Sequence, residues 1–544
     1  MTRGGAFSAG SSAIGGSTRV VLEQDVRFSK SLLWEAQRRY FDEAGVNAWS
    51  GAVPFYITSN PVIADSYAKV LIRWVQDLLR HHQADSASAF YIFELGTGSG
   101  RFSFMTMRRL FELQKALNIS AKIVYVMTDF TAANLSFWES HEKLKPFIDA
   151  NQLDFALYDM EKDIELTLIK SGKTLSRHDV KNPIALIGNY IFDTVSDDAF
   201  YVENGQLYES LMTVDALENN INFDFDQKMP IKLENLGCAF RHERVSSSSP
   251  YYQDPIWNKA LQGSASVIQK KGAFLLPVGG FKSLDMFRSL SNDRILLIST
   301  DKGYSSPQEM EGREDSKLVF HGSFSMTVNF HAIGEYFKAL GGDIAFQALR
   351  DSIKTCVYVM GMTFEHLPET RLAIADHIQG FGPGDYFSLH RNMREMKDPP
   401  ISMTTLLAQM ALCQWDPYVL SCFINRVLSE LAQSPKNIIR GFAEGADKIL
   451  ENIYRMPGVE DYYFNVGLLY HYGEKYSKAI DCYLKSLETH GEKFATYYNL
   501  ALCMYMAGDV RGSLKYFELS LPFDTDKRAS EWLKKVKSEI PPEI

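Results

Sequence analysis

Through the middle of the chain, short runs of consecutive apolar residues alternate with longer segments of helical period. Ala89-Phe90-Tyr91-Ile92-Phe93, Lys122-Ile123-Val124-Tyr125-Val126-Met127, Asp154-Phe155-Ala156-Leu157-Tyr158 and Ile184-Ala185-Leu186-Ile187 have the length and composition of buried strands. A helix with apolar positions Phe102, Met105, Leu110 and Leu113 separates the first two. Strands alternating with helices predict a parallel sheet with crossover helices, a doubly wound α/β fold. Arg294-Ile295-Leu296-Leu297-Ile298-Ser299 and the aromatic segment Phe200-Tyr201-Val202 are expected to extend that sheet. Upstream, Leu32, Leu33, Ala36, Tyr40 and Phe41 mark an amphipathic helix over about Ser29 to Asp42. A second helix starts at Pro61, where a missing N–H costs little, and presents Tyr67, Val70, Leu71, Trp74 and Leu78. The stretch 211–262 has no clear period and reads as an insertion, a candidate substrate-side cap.

Beyond Asp398-Pro399-Pro400 the pattern is helical to the end, and its apolar and aromatic positions repeat. Tyr463, Val466, Gly467, Tyr470, Ala479 and Tyr483 fit the tetratricopeptide template of large, apolar, small, aromatic, small, aromatic positions. One period of about 34 residues later stand Tyr497, Leu500, Ala501, Met504, Ser513 and Phe517, similar chemistry in the same order. Trp415 to Leu450 is helical but fits the template poorly. Pro522 closes the last repeat helix, and Ala529 to Ile540 reads as a polar capping helix. The expected division is therefore an unstructured N-terminus over 1–20 and an α/β domain over 21–397. Within the latter, 21–85 is helical and 211–262 is the insertion. A connector or divergent repeats over 398–455 and repeats over 456–544 complete the chain.

Composition adds exclusions. A chain of 544 residues, 46% hydrophobic and 23% charged, builds more than one packed core. A net charge of −9 argues against a general nucleic-acid binder, and no apolar run is long enough for a membrane span. Six scattered cysteines suit neither a disulfide framework nor a metal site, which points to a reducing compartment and no metal. The Gly/Ser-rich start carries Arg3 and Arg19 and lacks acids, a partial likeness to an organelle transit peptide. It is neither amphipathic nor Arg-rich, so a cytoplasmic setting is expected, with a mitochondrial one as the alternative.

The chemistry concentrates at Glu94-Leu95-Gly96-Thr97-Gly98-Ser99-Gly100, which leaves the first strand and enters a helix. Glycines there let the backbone turn sharply and approach a ligand closely. The spacing does not match the pyrophosphate fingerprint G-x-G-x-x-G, since position 101 is arginine. It is similar to the first motif of class I S-adenosylmethionine-dependent methyltransferases, in which the acid and the glycine turn hold the amino-acid end of the cofactor. Asp129 ends the second strand, where a carboxylate can accept both ribose hydroxyls. Asp159 and Met160 follow the third strand, where such folds place an acid for the adenine amino group and an apolar side chain against the ring.

Over roughly residues 30 to 345 the chain resembles the MidA-like methyltransferases, a family that includes a mitochondrial arginine methyltransferase. The likeness rests on Phe55-Tyr56-Ile57-Thr58-Ser59-Asn60-Pro61, on Glu94 to Gly100, on Asn189-Tyr190-Ile191-Phe192-Asp193, on Thr300-Asp301-Lys302-Gly303 and on Ser325-Met326-Thr327-Val328-Asn329-Phe330. It implies cofactor contacts from Thr58 and Ser59 as well as from Glu94, Gly96, Gly98, Gly100, Asp129, Asp159 and Met160. Departures fall on the substrate side. Tyr190 replaces the family's Glu, Lys302 its Tyr, and Ser325 and Asn329 its acids. Paired carboxylates hold guanidinium well, so these losses weaken arginine as the substrate, while Asp193 and Asp301 remain.

Methyl transfer from a sulfonium is an in-line displacement governed by positioning and desolvation. Asp193 is the candidate to orient or deprotonate a nitrogen acceptor, with a helix N-cap as its structural alternative. Asn189 is the candidate to fix the acceptor through its amide oxygen. His321 and His331 are secondary candidates, read as surface loop residues. The expected function is a protein methyltransferase acting on arginine or another nitrogen, with the repeats recruiting a protein partner. A cofactor-binding scaffold without catalysis and a small-molecule methyltransferase remain as alternatives.

Overall fold

The computed structural model describes residues 19–50, 56–217, 233–246, 248–347, 353–396 and 400–540. The N-terminus expected to be unstructured lies outside these residues, except that Arg19 and Val20 already belong to a strand. The chain forms two compact units that interleave along the sequence. The first comprises the described residues up to Thr58, Val70–Gly100 and Leu117–Gly380. The second comprises Ser59–Lys69, Arg101–Ala116 and the residues from Phe381 onward.

The first unit begins with strand β1 (Arg19–Arg27), not with a helix as the pattern over 21–85 suggests. Helix α1 (Leu32–Ala44) follows, with the Ser31 side chain accepting from the Leu33 amide at its start. Next comes α2 (Pro61–Arg80), whose first turns belong to the second unit. Strand β2 (Phe90–Glu94) leads into α3 (Arg101–Ala116), which is wholly in the second unit. There follow β3 (Ile123–Asp129), α4 (Ala132–Ser140), β4 (Leu153–Leu157) and β5 (Ile184–Asn189). Every residue of β3 is buried, which is why its sequence shows no polar alternation.

Then come β6 (Asp198–Glu203), β7 (Gln206–Leu217), β8 (Leu236–Arg244), α5 (Pro255–Ser266), β9 (Lys271–Leu276) and α6 (Val278–Ser291). The unit closes with β10 (Ile295–Asp301), α7 (Phe330–Ala339), β11 (Asp343–Phe346) and β12 (Lys354–Met360). Seven strands make one sheet in the order β11-β12-β10-β5-β2-β3-β4. The five from β10 to β4 are mutually parallel, β12 is antiparallel to β10, and β11 is antiparallel to β12. The expected α/β sheet is therefore present, but it is mixed and not wholly parallel, because β12 runs against its neighbours at one edge. Its core packs α6 against the strands, with the Phe287 ring 5.0 Å from Phe93.

The aromatic segment Phe200-Tyr201-Val202 does not extend this sheet. It lies in β6, part of a second, antiparallel sheet in the order β1-β7-β6-β9 with β8 along β7. Asn204 and Gly205, with φ of 51° and 76°, form the two-residue turn that joins β6 to β7. Much of the expected insertion over 211–262 is thus sheet and helix of this layer, and 218–232 lie outside the described residues.

Among the described residues of the second unit, all the secondary structure is helical. Several short ones and a long helix over Lys436–Asn452 precede antiparallel hairpins at Tyr462–Tyr472 with Tyr476–His490 and Phe494–Met506 with Val510–Ser520, followed by Arg528–Glu539. Glycine at position 467 has a physical cause: a Cβ there would lie 2.6 Å from the buried Tyr483 ring. The six cysteines are unpaired thiols. No helix among the described residues is long and apolar enough to cross a membrane.

Candidate functional site

The sheet reverses its winding at β2: the chain runs outward through β3 and β4, then returns to start the other half at β5. Crevices form at the carboxyl ends of strands where the order reverses. The turn after β2 occupies that point, with the Leu95 amide donating to the Ile187 carbonyl on β5 at 2.9 Å. Gly96, Gly98 and Gly100 have φ of 59°, 62° and 78°, left-handed values that favour glycine. The end of β3 pins the turn. Thr97 N donates to the Thr128 carbonyl at 2.8 Å, Gly98 N to Asp129 Oδ2 at 3.0 Å, and the Trp138 indole to the Gly98 carbonyl at 2.9 Å.

The predicted acids sit around this turn, each already engaged. Glu94 Oε2 accepts from the Tyr125 hydroxyl at 2.7 Å. Asp129 Oδ2 also accepts from Asn134 Nδ2, and Oδ1 accepts from the Thr131 amide, both at 3.0 Å. Burial raises the Asp129 carboxyl above its ordinary value, and these donors oppose the rise. Oδ1 keeps a lone pair for a further donor. Asp159 is ion-paired with Arg38, whose guanidinium lies 4.7 Å above the Phe130 ring.

Arg38, Phe41, Gly96, Asp129, Phe130, Met160, Ile191 and Thr194 line one cleft. Trp49 rests on the turn, since a Cβ on Gly98 would come within 2.6 Å of its ring. Thr58 belongs to the first unit and Ser59 to the second, where the Ser59 carbonyl accepts from Arg101.

The substrate-side candidates gather at the ends of β5 and β10, where Asn189 pairs with Thr300. Asn189 Oδ1 accepts from the Thr300 amide at 3.1 Å, so the oxygen expected to fix an acceptor braces the two strands. Tyr190 has φ 47°, unusual for a side-chain-bearing residue. Asp193 lies in a turn with no helix after it, which removes its N-cap reading. Asp193 and Asp301 are 3% and 1% exposed. Asp193 Oδ1, Asp301 Oδ2 and the Tyr190 hydroxyl are buried with no hydrogen-bond partner among the described residues. Burial pushes Asp193 up to about 7, against the opposing bond from Asp301 and the charge of Lys302.

A carboxyl raised on folding confers stability below its unfolded value of 3.8 that is lost as pH rises through about 7. Thermal unfolding followed by circular dichroism from about pH 5 to pH 8 is expected to show a falling midpoint, with a shallower fall in Asp193→Asn. Equal slopes would refute the assignment.

Two of the remaining candidates are structural. Asn329 caps α7, accepting from the Ala332 amide at 3.0 Å, and donates to the Leu275 carbonyl at 2.8 Å. His331 is a buried residue of α7, not a surface loop residue, and burial lowers its pKa. His321 ends a short strand, and its side chain lies outside the description. Among the described residues no cluster of His, Cys, Asp or Glu could hold a metal ion.

Sequence reasoning missed Arg38, Phe41 and Trp49. The apolar stripe of α1 names Phe41, but nothing in one sequence says that this stripe's edge meets the cleft.

No family model and no curated protein matches the sequence. Two solved structures from Burkholderia thailandensis, members of one superfamily, show distant similarity. The native structure of an uncharacterised protein is 12% identical, with a TM-score of 0.35, covering 62% of this chain and 87% of its own. A candidate methyl transferase bound to S-adenosyl-homocysteine is 12% identical, with a TM-score of 0.33, covering 56% and 78%. Neither similarity is strong enough to define the chemistry here, which rests on the strand order and the side chains.

Proposed function

We propose that the first unit is an S-adenosylmethionine-dependent methyltransferase of MidA-like type, acting on a nitrogen of a protein, and that the terminal hairpins are tetratricopeptide repeats that recruit its partner. The observation that carries this reading is the turn of three left-handed glycines, tied to Asp129 at the reversal point of the sheet. The cleft fits the cofactor in kind: bare backbone at Gly96, acceptor capacity on Asp129 Oδ1, and Met160 and Phe130 as apolar walls. When bound, the cofactor supplies an electrophilic methyl group on sulfur. Asp129 and the glycine amides would hold and orient its ribose and amino-acid ends, Met160 would exclude water from the adenine, and Asp193 would take the acceptor's proton.

A scaffold that binds the cofactor without transferring methyl is the second reading. It is favoured by the Arg38–Asp159 pair, which already engages the acid expected to meet the adenine amino group. Incubation with methyl-labelled cofactor and cell lysate separates the two. The enzyme reading expects a labelled protein band with wild type and at least about a hundredfold less with Asp193→Ala. Cofactor binding without any label supports the scaffold.

A further inference from the structure

Helix α1 carries Arg38 into the cleft, and its backbone is held there by the preceding residue. Gln37 is 1% exposed, donates through Nε2 to the Thr194 carbonyl at 3.3 Å and accepts at Oε1 from the Phe324 amide at 3.0 Å. Movement of Arg38 is therefore movement of its side chain, which is a quarter exposed. The guanidinium makes three contacts. It pairs with Asp159 Oδ2, lies 4.7 Å above the Phe130 ring, and places Nη1 3.5 Å from Glu161 Oε2. The pair with Asp159 is a charge-assisted hydrogen bond, whereas the Glu161 contact is at the outer limit of one.

An adenine ring needs the same two partners. Phe130 offers an aromatic face for stacking, and Asp159 Oδ2 an acceptor for an exocyclic amino group. Arg38, Phe130, Asp159 and Met160 line one cleft, so a ring and the guanidinium compete for it. The carboxylate is the fixed member. Asp159 Oδ1 accepts from the Glu161 amide at 3.0 Å, and the Asp159 amide donates to Asp163 Oδ2 at 2.7 Å. The guanidinium is the movable member, on a long stem with many rotamers. Glu161 gives it a second position: Oε1 accepts from the Ser196 amide at 2.9 Å, while Oε2 faces Arg38. An arginine displaced from Asp159 closes that gap and stays paired. Lys162, 3.7 Å from Asp159 Oδ2, then continues to balance the acid's charge.

We propose that Arg38 sets the affinity of the cleft for adenosine-bearing ligands: it competes with the adenine for Asp159 and the Phe130 face, and binding moves it onto Glu161. This rests on the cofactor reading above and deepens it. Asp129 and the glycine turn hold the ribose and amino-acid ends through other atoms, so the competition bears on the adenine alone. The exchange passes one guanidinium between two carboxylates, with no proton moved and no covalent bond changed. It also has a diagnostic sign. Removing a residue that forms a pocket wall weakens binding, whereas removing a competitor strengthens it.

Calorimetric titration of the full-length protein with S-adenosyl-homocysteine and with adenosine tests the proposal. Arg38→Met keeps an unbranched stem and removes the charged fork. It should bind both ligands at least about fivefold more tightly than wild type. Arg38→Lys keeps the charge but not the planar fork, and should bind more tightly than wild type but less tightly than the methionine variant. Either variant alone decides the sign. Arg39 is the control, one residue along α1 and 3.9 Å from Glu35; Arg39→Met should match wild type within about twofold. Without ligand, Arg38→Met should unfold at a slightly lower temperature than wild type, and saturating ligand should raise its midpoint by more. Affinity at or below that of wild type in both Arg38 variants would overturn the proposal and leave the cofactor reading standing. Binding of neither ligand by any of the four proteins would overturn both. Tighter binding without methyl transfer would refute the proposed catalysis alone.

Discussion

Replacing Gly98 by alanine is expected to weaken S-adenosylmethionine binding about tenfold or more, and replacing it by arginine to abolish it. Two costs coincide at this position. A residue with a Cβ at φ 62° pays roughly 1–2 kcal/mol of backbone strain, which the turn relieves by leaving the geometry the cofactor needs; restoring that geometry on binding at a cost of 1.4 kcal/mol is about a factor of ten in affinity. The new Cβ would also lie 2.6 Å from the Trp49 ring, which must shift over the cleft. Any movement of the turn pulls the Gly98 amide from Asp129 Oδ2 and rotates the carboxylate meant for the ribose. Gly172 supplies the control. Its φ is 66° with open space around it, so Gly172→Ala bears the strain without touching the cleft. Calorimetric titration should show wild-type affinity for the Gly172 variant and the loss only at Gly98. Equal dissociation constants in all four proteins would sink the cofactor assignment.

The parts that were readable in the sequence are those where local pattern and burial coincide. Strands β2, β3, β4 and β5 are continuous apolar runs because both faces of the sheet are covered. Their boundaries could be placed within one or two residues. The glycine turn was legible because strand, glycines and helix follow one another without a gap.

The second sheet was not. Its strands β1, β7 and β8 are half-buried, and β1 pairs with β7 across a long separation, so no local signal joins Arg19–Arg27 to Leu211–Leu217. One cue was present, the Asn204-Gly205 turn between two β-rich runs, and it marks the β6–β7 hairpin. In the cleft, the acids could be named but not their partners. Arg38 reaches Asp159 from 121 residues away in the chain, and Asp193 meets Asp301 across two strands. Such pairings follow from register, which periodicity does not encode.

Substituting either member of the Arg101–Asp416 pair should destabilise the second unit by about 3–5 kcal/mol, a loss visible in chemical denaturation. The side chains are 2% and 0% exposed and lie 2.7 Å apart, so removing one strands an uncompensated charge in a dry interior. Each has further work. Arg101 also donates to the Ser59 carbonyl, and Asp416 caps the helix over Pro417–Cys422 by accepting from the Tyr418 amide at 2.9 Å. Arg101→Met therefore takes a donor from the Ser59 carbonyl and leaves the Asp416 charge with only the Tyr418 amide. Asp416→Asn keeps a competent cap and should be the milder change. In Arg101→Met/Asp416→Asn neither charge remains, and the double variant should recover at least about 2 kcal/mol relative to the sum of the singles. Additive losses would show that the two groups do not depend on each other. A large coupling would explain why residues 59 and 101, from the first fifth of the chain, belong to the same compact unit as residue 416. A buried guanidinium with several acceptors is satisfied only when all of those segments arrive together.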